Sequence, residues 1–141
     1  MSSEMNQANC PFCNTKEMRG GVLHKFKHVY ASLSHPRKVP GHLLVIPKRH
    51  VSKLSELSDD EKKELLDVII KYQEKLLKYS QGTMIKQNYM PFVPDSKVKV
   101  THLHVHIIPR YLNDALKKES DAVEFIDPDE NELNDWTEKL K

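Results

Sequence analysis

The residues best equipped for chemistry in this chain fall in one stretch, Thr101-His102-Leu103-His104-Val105-His106-Ile107-Ile108-Pro109-Arg110. Histidine recurs at every second position, with Leu103 and Val105 between and Ile107 following. In extended backbone, successive side chains point to opposite faces. One face of such a strand carries His102, His104 and His106, and the other carries aliphatic groups for a core. The β-branched Val105, Ile107 and Ile108 favour that conformation. The pattern predicts a strand from Val98 to Ile108, ended by Pro109. Each imidazole titrates near neutrality and has two distinct nitrogens, which opens two chemistries. His-x-His on a strand can place two nitrogens on one zinc ion. Alternatively, a neutral imidazole can attack as a nucleophile while its neighbours orient it and hold an oxyanion. A merely solvated polar face fits poorly with the apolar opposite face and the unbroken period of two.

A second constellation is Cys10-Pro11-Phe12-Cys13, which holds both cysteines of the chain. That spacing reads as half a zinc site, a redox pair or two unliganded thiols. A redox pair belongs at the start of a helix that follows a strand, and residues 1–9 are too polar for a core strand. Zinc is therefore the preferred reading.

The elements that must position these groups can be read from periodicity and turn chemistry. Val22 to Leu33 is predicted as a strand or half of a hairpin, with His24 and His28 as surface residues among lysines. His35 to Gly41 is turn-rich, and His42 to Ile46 is a short apolar strand, central in its sheet and closed by Pro47. Ser58-Asp59-Asp60-Glu61 is a capping box, and its acids suit the positive end of a helix dipole. Leu65, Ile69, Tyr72 and Leu76 follow at helical spacing, and Leu66, Ile70 and Leu77 widen the stripe. That helix is predicted to run to about Tyr79, with Gly82 as terminator. Thr83 to Tyr89 reads as a strand and Met90 to Asp95 as a loop, while Asn113 to Ser120 fits a helix start or a loop. Asp127-Pro128-Asp129 reads as a turn and N-cap leading into a short acidic helix, Glu130 to Leu140, with Leu133, Trp136 and Leu140 on one face. The sum is an α+β chain: an antiparallel sheet with one long helix and a short C-terminal helix.

Two motifs carry a resemblance to a known family. His102-Leu103-His104-Val105-His106-Ile107-Ile108 resembles the signature of the histidine triad (HIT) superfamily, and Pro40-Gly41-His42-Leu43-Leu44-Val45-Ile46-Pro47-Lys48-Arg49-His50 is similar to its other hallmark. The likeness covers roughly Cys10 to Arg110. It implies a HIT-like fold over residues 1–120, with a Cys-x-x-Cys knuckle at 10–13, usually paired into a homodimer; residues 121–141, an acidic tail or helix by their own charge and pattern, lie beyond the likeness. It also implies attack by the middle histidine, His104, on the α-phosphorus of a nucleotide conjugate, such as a dinucleoside polyphosphate or a nucleoside phosphoramidate. A covalent nucleotidyl-histidine would follow, with His106 donating to the phosphoryl group and His42 helping to position or protonate the site. By likeness to the zinc-containing branch, Cys10, Cys13, His50 and His102 would hold a structural zinc. The rival assignment keeps all three triad histidines for a catalytic metal, and a non-enzymatic rival is a zinc-stabilised nucleotide-binding dimer.

The chain departs from the family where phosphate is usually held. Lys97-Val98-Lys99 stands in place of a Gly-Gln-Ser type segment, and either Lys97 or Lys99 could serve as a point charge for phosphate. In a regular strand Lys99 would point away from His102, so this role needs a bulge or a loop. Ser34 stands near the position where relatives carry an acidic or amide residue for the ribose, and Asn88 resembles a family asparagine near the phosphates.

Length and charge agree with this frame. The 141 residues fit one domain able to fold without disulfides. Net charge is +2 but unevenly spread: residues 121–141 hold eight acids and two bases, leaving twenty bases and twelve acids in residues 1–120. A basic body suits a polyanionic small molecule. Without interleaved aromatic and basic residues, nucleic acid is not an expected partner. No apolar run is long enough to span a membrane, and the start lacks the basic-then-apolar pattern of a secretory signal, so the expectation is a cytoplasmic protein.

Overall fold

Five short strands form one antiparallel sheet: β1 (His24–Lys25), β2 (Val29–Leu33), β3 (Leu43–Pro47), β4 (Gly82–Lys86) and β5 (Val105–Arg110). Their order across the sheet is β1-β2-β3-β5-β4. The last strand in sequence thus inserts beside β3, the strand from the other hallmark motif. Among the described residues two α-helices accompany the sheet, α1 (Asp59–Leu76) and α2 (Glu130–Leu140). This computed structural model describes residues 10–15, 22–96, 99–114 and 125–141.

The strand pleat divides the side chains as its period of two requires. Val29, Ala31 and Leu33 of β2, Leu43 and Val45 of β3, and Val105 and Ile107 of β5 join one core with Leu65, Val68, Tyr72 and Leu76 of α1. Leu133, Trp136 and Leu140 of α2 enter the same core. The alternate residues Tyr30, Leu44 and Ile46 form a second cluster, against which Phe12 and Val22 pack. Both faces of β2 and β3 are therefore buried, and the histidine side of the sheet is the one turned away from α1.

Both predicted helix starts are present. Ser58 Oγ accepts from the Glu61 amide at 3.2 Å while a Glu61 carboxylate oxygen accepts from the Ser58 amide at 2.8 Å. The Asp129 carboxylate accepts from the Glu132 amide at 2.8 Å. Gly41 has φ +92°, and a Cβ there would stand 3.0 Å from the Trp136 ring. Glycine at this position thus serves both the left-handed turn before His42 and the close approach of α2.

Several boundaries differ from the sequence expectation. Helix α1 stops at Leu76, where Ser80 Oγ takes up the Leu76 carbonyl at 2.9 Å, and Gly82 opens β4 instead of ending the helix. Strand β4 ends at Lys86, not Tyr89. The histidine strand begins at Val105 rather than Val98. Upstream of it, Ser96 and Lys99 exchange backbone hydrogen bonds, and the Leu103 amide donates to the Val51 carbonyl at 2.7 Å instead of joining the ladder. Pro109 lies within β5. The pairing of β3 with β5 runs only from Val105 to Ile107, so the N–H that proline lacks costs no bond to β3. The segment Asn113 to Ser120 lies, from residue 115 on, outside the described residues. Among the described residues no helix is long and apolar enough to cross a membrane.

Candidate functional site

The triad histidines serve two neighbouring sites. The first is a cluster of Cys10, Cys13, His50 and His102, whose four donor atoms lie within 4.8 Å of one another. His102 Nδ1 stands 3.3 Å from Cys10 Sγ, 3.4 Å from Cys13 Sγ and 3.1 Å from His50 Nδ1, and His50 Nδ1 stands 3.1 Å from Cys13 Sγ. Donors at the corners of a zinc tetrahedron, with bonds of about 2.0 Å to nitrogen and 2.3 Å to sulfur, stand roughly 3.3–3.8 Å apart, so this set is close to metal size. The tautomer agrees. His102 Nε2 lies 2.8 Å from the Pro47 carbonyl and must donate to it, which turns the Nδ1 lone pair toward the cluster. Burial pushes the Cys10 thiol up to about 12, with the Cys13 side chain adding to the effect. Burial likewise lowers His102 to about 4, against the pull of its bond to Pro47. A cation among these donors would reverse the thiol preference and release protons. The cluster could hold a metal.

The second site lies on the same side of the sheet. His104 Nδ1 is 2.7 Å from the His102 carbonyl, so it carries the proton and leaves Nε2 as a free lone pair. His42 is nearly inaccessible, and its Nδ1 accepts from the Lys38 amide at 3.0 Å. Its proton therefore sits on Nε2, which stands 2.9 Å from His106 Nδ1. His106 accepts there and so carries its own proton on Nε2. The Lys38 amide thus sets the tautomers of His42 and His106 in sequence, and the His102 carbonyl sets that of His104, which leaves an N–H on His106 Nε2 beside a lone pair on His104 Nε2. The two rings are 4.9 Å apart between centroids. Burial, with the neighbouring His106 and the lysine charges, holds His42 well below its ordinary value. Burial and the His104, Lys86 and Lys38 charges lower His106 to about 3, and burial also lowers His104. The neutral forms required by these bonds are the ones the surroundings favour.

Both ring nitrogens of His102 are engaged away from His104 and His106. The three imidazoles therefore do not converge on one shared ion, which counts against the reading of the triad as a single metal centre. The Cys-Pro-Phe-Cys loop joins the two sites, because the Phe12 ring meets His104 edge-on at 5.0 Å and His102 at 6.0 Å.

His42, His104 and His106 line a cleft of about 250 Å³. Asn88 and Lys99 line it as well, whereas Lys97 falls outside the described residues. Lys99 sits in a loop, as its proposed role demands. Its ammonium is 3.0 Å from Asp95 and 3.0 Å from Thr101 Oγ1, and the Thr101 hydroxyl also bonds Asp95. Burial opposes ionisation of Asp95, but the bonds from Thr101 and Lys99 outweigh it and hold this carboxyl below its usual range. Ser34 is not in this cleft. It lines a small adjoining cavity and donates to the Pro36 carbonyl at 2.8 Å.

Lys38, Lys86 and Phe125 are among the cleft residues that the sequence reading did not assign to the site. Lys86 pairs directly across the sheet from His106, which in turn pairs with Leu44. Its alternation with Met84 in a predicted strand was the available signal. The neighbour that gives it meaning was not.

The sequence profile described as the HIT domain matches residues 15–113. An uncharacterised HIT-like protein of Methanocaldococcus jannaschii is 33% identical over 124 residues, covering 86% of this chain and 94% of that protein. A protein named AP-4-A phosphorylase from Mycobacterium tuberculosis is 37% identical over 98 residues, covering 68% of this chain. This chain spans 49% of the phosphorylase's length. The crystal structure of a zinc-bound histidine triad family protein from Mycobacterium smegmatis superposes with a TM-score of 0.74 at 22% identity, covering 96% of this chain and 95% of that one, and shares the fold.

Proposed function

From the premise that the chain belongs to the HIT family, we propose that it is a nucleotide hydrolase or nucleotidyl transferase that cleaves nucleotide conjugates at the α-phosphate. The observation that carries this reading is the pair of opposed tautomers, a bare Nε2 on His104 and an N–H on His106 Nε2. His104 Nε2 would attack the α-phosphorus as the bond to the leaving group breaks. The positive charge that develops on its ring rests on Nδ1–H, already bonded to the His102 carbonyl. The His106 N–H stabilises the negative charge that builds on the phosphoryl oxygens, and His42 keeps that donor in place. Water or another acceptor then displaces His104. The name of the phosphorylase relative supports dinucleoside polyphosphates as the first substrates to try. Release of mononucleotide from diadenosine tri- or tetraphosphate, followed by chromatography, tests the reading. Binding without turnover would favour the non-enzymatic rival.

Asn88 and Lys99 would bind the phosphates. Lys99→Met should raise KM by roughly tenfold, the cost of losing one charge-assisted phosphate contact, and should weaken the salt dependence of binding. Nucleotide titrations at two ionic strengths check this, and unchanged affinity would give the lysine a purely structural role with Asp95.

The Cys10, Cys13, His50 and His102 cluster would hold one structural zinc, tying the knuckle loop to the start of β5. Two thiols kept for a metal suit a reducing, cytoplasmic setting. We also propose a homodimer through the outer face of α1, where Leu66 and Ile70 are 58% and 49% exposed and Leu77 continues the row. Light scattering at micromolar concentration should give twice the chain mass, and a monomer would remove the proposal.

A further inference from the structure

The cleft has one wall from a segment that the family match does not reach. Phe125 lies beyond residue 113 and lines the cleft together with Lys38 and the histidines. Its place is set by the residues that follow it. Arg37 and Ile126 exchange backbone hydrogen bonds of 2.8 and 2.9 Å. The Arg37 guanidinium grips Glu132 of α2 with two bonds, of 2.8 and 2.7 Å. A bidentate pair of this kind, only slightly exposed on either partner, fixes geometry as well as charge. Helix α2 is in turn anchored by Leu133, Trp136 and Leu140 in the core.

This arrangement brings the Phe125 ring to two groups of the site. The Lys38 ammonium lies 4.5 Å from the ring centroid, and the His42 ring lies 6.4 Å from it at a shallow tilt of 31°. The face of an aromatic ring attracts a cation, and the attraction is largest where water is excluded. Lys38 is buried, with 8% of its surface exposed. Its charge acts on both His42 and His106, as does that of Lys86. Lys38, His42 and His106 line the same cleft, so an anion that reaches the histidines also comes within the field of this cation.

We propose that Phe125 is a positioning residue, its ring holding the Lys38 ammonium beside the His42–His106 pair, where that charge meets the phosphate chain of the substrate. The proposal rests on the function above and adds to it that Phe125, a residue beyond the family match, completes the phosphate site. It requires the two residues to act as one unit.

The experiment is a double-mutant cycle on the full chain, with Lys38→Met, Phe125→Leu, both together, and Phe125→Tyr. Leucine keeps an apolar group of similar reach without a π face, and tyrosine keeps the face. The readouts are kcat/KM for diadenosine tetraphosphate and the affinity for inorganic tripolyphosphate by calorimetry, each at two salt concentrations. Phe125→Leu should weaken both by roughly three- to tenfold, mostly in KM, as expected for loss of a partly desolvated cation–π contact. The double variant should be no worse than Lys38→Met alone, the salt dependence should fall in both single variants, and Phe125→Tyr should match the wild type. Losses that multiply in the double variant, a tyrosine variant as weak as the leucine one, or an unchanged Phe125→Leu would each overturn the proposal. The two readouts separate it from the function it rests on. Coupled tripolyphosphate binding without any turnover would remove the enzymatic reading alone, and turnover with uncoupled residues would remove this proposal alone.

Discussion

His104→Ala should remove turnover of diadenosine polyphosphates while leaving the fold and nucleotide binding in place. The expected loss is on the order of a million-fold, the scale seen when a covalent nucleophile is deleted. His104 is held at both ends of its chemistry: Nδ1–H is committed to the His102 carbonyl, and Nε2 is left with a lone pair. His106→Ala should cost less, roughly a hundred- to a thousand-fold, as for a single oxyanion donor. The decisive measurement is acid-quenched mass spectrometry with a slow substrate. An acid-labile nucleotidyl mass should appear on the peptide containing Thr101 to Arg110. An adduct on another peptide, or full activity in His104→Ala, refutes the assignment. The pH profile follows from the histidine pair. The working tautomers of His42 and His106 are neutral, and burial lowers both pKa values, His106 to about 3. A lowered pKa keeps the neutral form as pH falls through the ordinary imidazole range near 6.5. Protonation of this pair should therefore produce no acid limb in kcat/KM until well below that value.

Cys10→Ser and Cys13→Ser should each lose stoichiometric zinc and lower thermal stability. Replacing one thiolate leaves three donors, and the metal's binding free energy is part of the folding free energy. A loss of about 3 kcal/mol, or roughly 10 °C in Tm, is the expected scale for a chain of this size. The effect should extend to catalysis, because Phe12, between the two cysteines, packs against His104. Metal analysis with calorimetric melting checks the prediction. Stoichiometric zinc unchanged in the double cysteine variant would sink it.

Much of the site was legible in the sequence because its logic is local. The period of two in Thr101 to Ile108 separated the histidines from Leu103, Val105 and Ile107, and the core contains those three residues. This holds although His102 and His104 lie before β5 begins, since extended backbone alternates with or without a ladder partner. The capping box at Ser58 and the cap at Asp129 were equally local, each a side chain meeting an amide three residues ahead. The breadth of the α1 stripe was less decisive. Leu65, Tyr72 and Leu76 are buried with Val68, but Leu66 and Ile70 are exposed, because periodicity shows which residues share a face without showing how much of it is covered.

The sequence by itself determined the strand and helix types, the helix starts, the two histidine motifs and the α+β class, because covalent geometry repeats every two or 3.6 residues whatever lies elsewhere. Only the tertiary structure decided that β5 inserts between β3 and β4, that Pro109 is tolerated within it, and that Lys86 faces His106 across the sheet. It alone joined Lys38, His42 and His106 into one chain of hydrogen bonds and brought Phe125 to their side. These contacts link residues separated by tens of positions. They depend on how the whole set of apolar faces is buried at once, a sum that no single stretch of the chain contains.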